Sequence, residues 1–278
     1  MPRRVSLAVL ACAVLGMMAL PARADDRSDC NGDRTEAAVA ACTRVIRSGK
    51  STGRDLAMVY YGRGRSYRLM GDNDRAIADY NESIKHNPRY AAAFLGRGNA
   101  WKSKREPDRA VADFSEAIRL DPKFTAAYFN RADVLDDKGD TTRAKADLDV
   151  AIRLDPQDAD AYILRGVVGK KMGDIDQALR DYSEAIRLEP RSSIAYFNRG
   201  IAWDDKGDTT RALADADQAL RLDPGFLRGY NFRGFLHGKN GDLERARADY
   251  NVVLASRDPA SEGLRQTARD RLAALPPL

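Results

Sequence analysis

The residues best able to do chemistry are few and scattered along this chain of 278 residues. Its two histidines, His86 and His237, lie in different parts of the sequence, and neither is near a nucleophile or a set of metal ligands. The segment SGKST at 48–52 resembles a phosphate-binding loop, but Arg44 stands where such a loop has its first glycine. The GRG segment at 62–64 lacks the third glycine of a dinucleotide-binding turn. The sequence therefore predicts neither catalysis nor an organic cofactor.

The first 24 residues have the composition of an export signal. Arg3 and Arg4 precede an apolar run over 5–20, and an Ala-Arg-Ala triplet ending at Ala24 follows. This order is typical of a secretory signal peptide that is cleaved after Ala24. The run is short for a membrane-spanning helix, which needs about twenty residues. We therefore expect a periplasmic or secreted protein with no membrane span. The alternative is a lipid anchor on Cys12, although the apolar segment before it is short for that purpose.

Loss of the signal peptide changes the charge of the chain. The formal net charge is +5 for the whole sequence and falls to +2 without Arg3, Arg4 and Arg23. The remaining charges alternate in sign instead of forming blocks, which is typical of a solvated surface. Because a nucleic-acid-binding surface needs clustered positive charge, we expect no nucleic-acid partner.

Cys30 and Cys42 are the two cysteines left after cleavage. An even pair in an oxidising compartment indicates a disulfide. It would close a short loop and stabilise the fold by about 3 kcal/mol. The alternative is two unrelated buried thiols. Without a nearby histidine the pair cannot complete a tetrahedral zinc site, so no metal is expected.

Arginine and aspartate recur at a common interval of 34 residues. The arginines are Arg63, Arg97, Arg131, Arg165, Arg199 and Arg233, and the aspartates, each sixteen residues later, are Asp79, Asp113, Asp147, Asp181, Asp215 and Asp249. We predict that each arginine contacts an aspartate or a backbone carbonyl within or beside its own repeat. Exposed pairs of this kind stabilise a protein by only about 0.2–1 kcal/mol each. We therefore interpret the two rows as fixing the register between elements.

The elements that position these rows are predicted to be pairs of helices. In one period, Tyr128 and Leu135 share a face of a first helix, which Gly139 ends because glycine accepts a left-handed backbone. Asp140 can cap the second helix. The small Ala144 is expected where the two helices come close. One pair leaves both flanks apolar, so it is stable only when pairs stack on one another.

Proline, alanine and aromatic residues keep the same period through most of the chain. The prolines are Pro88, Pro122, Pro156, Pro190 and Pro224, and the alanines are Ala76, Ala110, Ala144, Ala178, Ala212 and Ala246. This pattern resembles the tetratricopeptide repeat family, whose unit is a 34-residue helix–turn–helix. The match extends from Ala57 to about Pro259. The resemblance implies an all-α solenoid of helical hairpins, wound as a right-handed superhelix, with about six full repeats and helical caps.

The resemblance divides the chain into repeats and caps. The six expected repeats are 57–90, 91–124, 125–158, 159–192, 193–226 and 227–260. Residues 25–56 are expected to form an N-terminal cap with the second helix of a half-repeat and the disulfide, and 261–278 a C-terminal capping helix and tail. In the second repeat Arg105, Glu106 and Pro107 replace the usual glycine and aspartate, so that turn must differ in geometry.

The resemblance also implies a binding groove, because the first helix of each repeat lines the inner face of such arrays. The expected groove residues are Asn99, Phe129, Asn130, Asp133, Asp136, Asp137, Ile163, Val167, Lys170, Lys171, Phe197, Asn198, Ile201, Asp204 and Asp205. In related arrays asparagines at the place of Asn130 and Asn198 hydrogen-bond an extended peptide backbone, and Phe129 and Phe197 would add apolar area. The alternative is that the repeated YFNR segment is only the usual sequence of such repeats.

Charged side chains in this groove alternate in sign along the sequence. Two acidic pairs flank one lysine pair, in the order Asp136/Asp137, Lys170/Lys171 and Asp204/Asp205. This order favours a ligand whose basic residues are separated by a spacer. Some family members clamp a C-terminal carboxylate with a lysine one turn before an asparagine. Here Leu95 precedes Asn99 and Phe129 precedes Asp133, so that kind of recognition is not expected.

The sequence therefore predicts a non-catalytic scaffold that holds a peptide or protein segment in its groove. The alternative is an accessory subunit of an envelope enzyme or of an export or assembly machine, which docks through its convex or edge surface. The segments that begin at Tyr128 and Tyr196 are nearly identical, which indicates that a block of two repeats was duplicated. Equivalent surfaces two repeats apart suit an extended or multivalent partner.

Overall fold

The structure is a computed structural model and describes residues 26–30 and 32–277. The signal peptide expected at 1–24 and the alternative lipid site at Cys12 lie outside the described residues. Every regular element in the described part is helical. The described part of the chain divides into two compact units, one ending at Ala100 and the other beginning at Trp101, and each is described by itself.

The first unit contains four helices and most of a fifth. They are α1 (Asp26–Asp29), α2 (Glu36–Arg47), α3 (Gly53–Leu69), α4 (Asn73–His86) and α5 (Ala91–Ser103), the last of which ends in the second unit. The second unit continues with α6 (Pro107–Leu120), α7 (Thr125–Asp137), α8 (Thr141–Leu154), α9 (Ala159–Lys171), α10 (Ile175–Leu188), α11 (Ser193–Asp205), α12 (Thr209–Leu222), α13 (Leu227–Lys239), α14 (Leu243–Leu254) and α15 (Glu262–Ala273). Helices α7 and α8 form a hairpin, as do α9/α10, α11/α12 and α13/α14, and each hairpin packs on the next. The fold is an all-α helical solenoid.

The turns inside the hairpins follow one scheme. Gly139 has a left-handed backbone with φ 81°, and the side chain of Asp140 accepts a hydrogen bond of 3.1 Å from the Arg143 amide. These two observations confirm the predicted end of α7 and cap of α8. The turn before α6 differs, because Arg105 adopts φ 59° and Pro107 begins the helix without a side-chain cap. A left-handed conformation outside glycine costs about 1–2 kcal/mol.

The core of the second unit is a row of small interfaces between helices. Ala132 and Leu135 of α7 meet Ala144 and Leu148 of α8, and Val168 of α9 joins the same cluster. Both alanines have no exposed surface, which confirms the prediction that small residues mark the close approach of two helices. Because apolar side chains are buried between neighbours and not around one centre, stability is roughly a sum over hairpins and interfaces.

In the first unit, α2 takes the place of a second helix without a complete repeat of its own. Nη1 of Arg63 on α3 donates a hydrogen bond of 3.0 Å to the Thr43 hydroxyl on α2. One repeat later, Nη1 of Arg97 on α5 donates one of 2.6 Å to Asn81 on α4. Thr43 therefore corresponds to Asn81, and the alignment of α2 with α4 follows from this shared contact.

The same alignment places Cys42 at the position of Tyr80, and the structure joins Cys42 to Cys30 through a disulfide. A Cβ added at Gly96 would lie 2.6 Å from the ring of Tyr80. A Cβ added at Gly62, one repeat earlier, would lie 3.1 Å from the Cys30 carbonyl oxygen and 3.4 Å from its Sγ. The cystine thus fills the space that an aromatic ring fills in the next repeat.

Helix α15 covers the last hairpin of the second unit. Ala268 is its only buried residue and packs in a cluster with Tyr250, beside Leu272. Nη1 of Arg271 donates a hydrogen bond of 2.9 Å to the carbonyl oxygen of Asn231 on α13. The helix therefore has one face that covers the hairpin, while most of its other residues face solvent.

Candidate peptide-binding surface

Ion pairs join the first helices of successive hairpins in the second unit. The Nζ–Oδ distances are 2.7 Å for Lys171–Asp136, 3.1 Å for Lys170–Asp205 and 2.6 Å for Lys239–Asp204. These contacts bring the last turns of α7, α9, α11 and α13 side by side. The residues one turn earlier, Asp133, Val167, Ile201 and Phe235, therefore also form a row. We call this row, together with the side chains that flank it on the same four helices, the first-helix wall.

Most of the predicted charges of the groove neutralise one another. Asp136, Asp204 and Asp205 are each bonded to a lysine of a neighbouring first helix, and Asp133 is bonded to Lys102. Among the acids predicted to line the groove, only Asp137 forms no ion pair with the described residues. Acids already neutralised attract a cation weakly, so the arrangement does not support the prediction of widely spaced basic residues in a ligand.

The two asparagines of the wall keep their hydrogen-bonding groups available. Asn130 on α7 and Asn198 on α11 are half-buried, and their side-chain amides form no hydrogen bond with the described part of the chain. An amide offers two donors and one acceptor, which match the backbone groups of an extended peptide. Asn99, the third predicted asparagine, is half-buried on α5 in the first unit.

The phenylalanines predicted to offer apolar area are used inside the fold. Phe197 is only 4% exposed, and its ring makes edge contacts with Phe226 and Phe232 at centroid distances of 4.9 and 5.7 Å. Phe129 packs against the cluster that contains Leu135. The prediction that these rings add apolar area to the groove is wrong for Phe197, because the next repeat covers its ring, and Phe129 serves mainly as packing.

Other apolar side chains provide the apolar surface that remains on the wall. Ile163, Val167 and Ile201 are half-buried, while Ile194 is 38% and Phe235 36% exposed. The sequence-based list of groove residues omits Phe235, although its distance of 34 residues from Ile201 would have indicated it. The list also omits Lys239, which pairs with Asp204, although the 34-residue period would have indicated this lysine too.

Asp137 borders an open cavity of about 230 Å³ at one end of the wall. The cavity is lined by Lys102, Arg105, Pro107, Val134, Asp137 and Lys138. Lys102 is bonded to Asp133 and Lys138 to Asp108. Arg105 and Asp137 are thus the charged groups of this cavity that form no ion pair with described residues.

Five arginines of the row contact the aspartate sixteen residues later, which agrees with the predicted contact, and the structure shows that these ion pairs are bidentate. In the second unit, Nε and Nη2 of Arg131 each lie 2.7 Å from a carboxylate oxygen of Asp147. Nη1 of the same guanidinium donates a hydrogen bond of 2.9 Å to Ser115 on the preceding second helix. The same bidentate contact joins Arg63–Asp79, Arg165–Asp181, Arg199–Asp215 and Arg233–Asp249. Each arginine therefore ties three helices together.

Hydrogen bonding and burial shift the pKa values of several groups in and beside these pairs. The hydrogen bond to Asp147 raises the pKa of Arg131 above its usual value. Burial raises the pKa of Asp79, although Arg63 opposes the effect. Burial also raises the pKa of Tyr80 to about 12.

Each of the two histidines packs inside its own unit. His86 stacks on Tyr60 with ring centroids 5.8 Å apart, and His237 is buried within the last hairpin. Residues 26–30 and 32–277 contain no group of three His, Cys, Asp or Glu side chains placed to hold a metal ion. No helix in these two ranges has the length and apolarity to cross a membrane.

Solved structures with the same fold include several helical-repeat proteins. MamA is 28% identical with a TM-score of 0.55, and the match covers 58% of this chain and 94% of MamA. YrrB, described as a TPR protein with an unusual peptide-binding site, is 23% identical with a TM-score of 0.58 over 73% of this chain and 99% of its own. PilW, a type IV pilus biogenesis factor, is 17% identical with a TM-score of 0.70 over 77% and 98%. The last two likenesses show the fold alone.

Sequence comparison gives the family directly. No curated protein matches the chain significantly. The family described as tetratricopeptide repeat matches residues 61–123, 102–159, 129–169 and 170–226. These matches together span more than half of the sequence. The protein therefore belongs to the tetratricopeptide repeat family.

Proposed function

We propose that this protein is a non-catalytic scaffold that binds an extended peptide or protein segment on the first-helix wall. The observation that carries the proposal is the pair of unbonded amides at Asn130 and Asn198, two repeats apart on the same wall. The apolar row between them is partly exposed, and most of the flanking acids and lysines are already paired, with Asp136, Asp204 and Asp205 each bonded to a lysine. Backbone hydrogen bonds plus apolar contact suit a segment in extended conformation.

We further propose that the protein acts outside the cytoplasm, after cleavage at Ala24. The composition of residues 1–24 supports export, and the disulfide between Cys30 and Cys42 fits an oxidising compartment. Neither catalysis nor a resident cofactor forms part of the proposal.

The test is affinity capture from a cell-envelope extract with the double variant Asn130→Ala/Asn198→Ala. Loss of two backbone-directed hydrogen bonds should weaken binding of the captured partner by about tenfold or more. A matched control is Thr142→Ala/Thr210→Ala, which changes two exposed residues, also two repeats apart, on α8 and α12. Capture that survives the asparagine change contradicts the proposal. If the threonine variant then loses the partner, docking through the second helices is the better explanation.

A further inference from the structure

The unpaired charges of the first-helix wall are separated by sign. Asp137 on α7 and Asp160 on α9 form no ion pair with the described residues, and both are exposed. At the other end of the wall, Arg228 on α13 and Arg271 on α15 also have no carboxylate partner in the described part of the chain. On its own four helices the wall therefore has free anions at its α7 end and one free cation, Arg228, at its α13 end, which Arg271 of the neighbouring α15 supplements.

Aromatic rings hold the two free cations in place. The guanidinium of Arg228 lies 5.5 Å from the ring centroid of Phe197, and that of Arg271 lies 4.8 Å from the centroid of Phe235. Arg271 also donates a hydrogen bond to the Asn231 carbonyl. Stacking on a ring leaves the edge of the guanidinium free to bind a carboxylate. Each guanidinium is thus able to receive an anion.

Between the two ends the wall has little free charge. The row from Val167 to Ile201 and Phe235 is apolar, and the lysines beside it are bonded to Asp136, Asp204 and Asp205. A charged ligand residue would meet no free partner here, whereas an apolar residue would bury surface.

From this arrangement, and resting on the proposed function, we infer that the wall binds extended segments with a basic end over α7 and α9, apolar residues in the middle and an acidic end over α13. Adjacent first helices at about 10 Å a step give a span of roughly 30 Å, which about nine extended residues cover. Since side chains alternate along an extended chain, every second residue of the middle would face the wall.

The cation at Arg105 competes for the acidic end of the wall. Arg105 lines the same cavity as Asp137, so a basic ligand residue must bind Asp137 in its presence. Removing the Arg105 cation should strengthen the attraction between Asp137 and a basic residue of the ligand. Arg105→Gly should therefore tighten binding of a lysine-ended peptide by about two- to fivefold.

The probe is a synthetic twelve-residue peptide with two lysines at one end, alternating valine and serine in the middle and two aspartates at the other end. Its affinity for the purified protein is measured by calorimetry. Exchanging lysines for glutamates, or valines for serines, should lower the affinity by about tenfold or more. Asp137→Asn and Arg228→Gln should each lower it about two- to fivefold. Glu244→Gln and Arg153→Gln, exposed single-charge changes on α14 and α8, serve as controls without effect.

Orientation is measured with a nitroxide label on either end of the peptide. The only tryptophans of the chain are Trp101 and Trp203, so Trp203→Phe and Trp101→Phe each leave a single reporter. Trp101 lies on α5 next to α7, and Trp203 lies on α11, one first helix before the α13 end. A label on the lysine end should quench Trp101 more than Trp203, and a label on the aspartate end should do the reverse.

Equal quenching by both labels, or equal affinity for the charge-exchanged peptide, overturns the inference. Failure of the lysine-ended peptide to bind at all also overturns it. If the asparagine double variant loses its captured partner while Asp137→Asn and Arg228→Gln do not, the proposed function stands and the polarity fails. Self-association of the protein that is lost on Ile201→Ser would identify a second copy as the occupant and also contradict the inference.

Discussion

Five arginines of the 34-residue row each bond three helices with one side chain: Arg63, Arg131, Arg165, Arg199 and Arg233. Arg165 makes two bonds to Asp181 of its own hairpin and a third, of 2.8 Å, to Asp149 of the preceding one. The third acceptor alternates along the second unit between serine and aspartate, as Ser115, Asp149, Ser183 and Asp217. This alternation follows the duplicated block of two repeats. The hydrogen bond from Nη1 of the arginine is present whether its acceptor is serine or aspartate. This indicates that the bond fixes the geometry of the three helices and does not serve to balance charge.

Replacing one of these arginines should lower the free energy of unfolding more than replacing an exposed arginine. Arg131→Met leaves the buried carboxylate of Asp147 without its two donors, which we expect to lower the free energy of unfolding by about 2–4 kcal/mol. Arg131→Lys should recover only part of the loss, because an ammonium group cannot make the bidentate contact. Urea unfolding monitored by circular dichroism measures both.

Arg119→Met is the control for this measurement. Arg119 pairs with Glu116 on the surface of α6, and such pairs contribute less than about 1 kcal/mol. Similar losses for Arg119→Met and Arg131→Met would mean that the buried row adds no more stability than a surface pair.

An ion pair could be predicted from the sequence where one repeat contains both of its residues. The pairing of Arg131 with Asp147 depends only on their spacing within a hairpin, so the period indicates it. The ion pair between Lys171 and Asp136 depends on how far apart two first helices pack. Sequence spacing does not give that distance. The free charge at Asp137 was unpredictable for the same reason, since it exists only because Lys102 bonds Asp133 instead.

At the scale of the elements, helices and turns follow local sequence, whereas the short α1 of the N-terminal cap was not predicted. Glycine and aspartate mark the turns, and each predicted hairpin of the second unit is present. The cap has no full first helix, and α1 is only four residues long. Buried Asp26 on α1 is bonded to Arg44 on α2 with an Nε–Oδ1 distance of 2.9 Å. The cystine and this ion pair together replace the packing that a complete first helix would provide.

Breaking the cystine should therefore loosen the cap and not the whole chain. Reduction, or Cys30→Ser/Cys42→Ser, should lower the stability of α1 and α2 by about 3 kcal/mol. Amide exchange followed by mass spectrometry should then become faster in α2 and unchanged in α9 to α12. Adding reductant to the double serine variant should have no further effect. Unchanged exchange in α2 after reduction would show that packing alone holds the cap.

At the scale of the whole molecule, stability is distributed along the array. Within the second unit each hairpin contacts the hairpins next to it, and the clusters around Ala144, Ala178, Ala212 and Ala246 are separate. Arrays of this kind unfold in segments whose coupling decreases with distance. Their exposed faces stay available for binding because the core does not need them.

This distribution predicts how a defect in the C-terminal cap should spread. Ala268 is fully buried against Tyr250 and Val253, so Ala268→Asp places an unpaired carboxylate in an apolar cluster and should release α15. We expect amide exchange to become fastest in α15, clearly faster in α13 and α14, slightly faster in α11 and α12, and unchanged in α7 and α8. The adjacent Thr267 is exposed, so Thr267→Asp adds the same charge without burying it. Amide exchange in this control variant should be the same as in the unsubstituted protein. An equal increase in exchange from α7 to α15 would show that the second unit unfolds as one cooperative body, and the description of its stability as a sum over neighbouring hairpins would then be wrong.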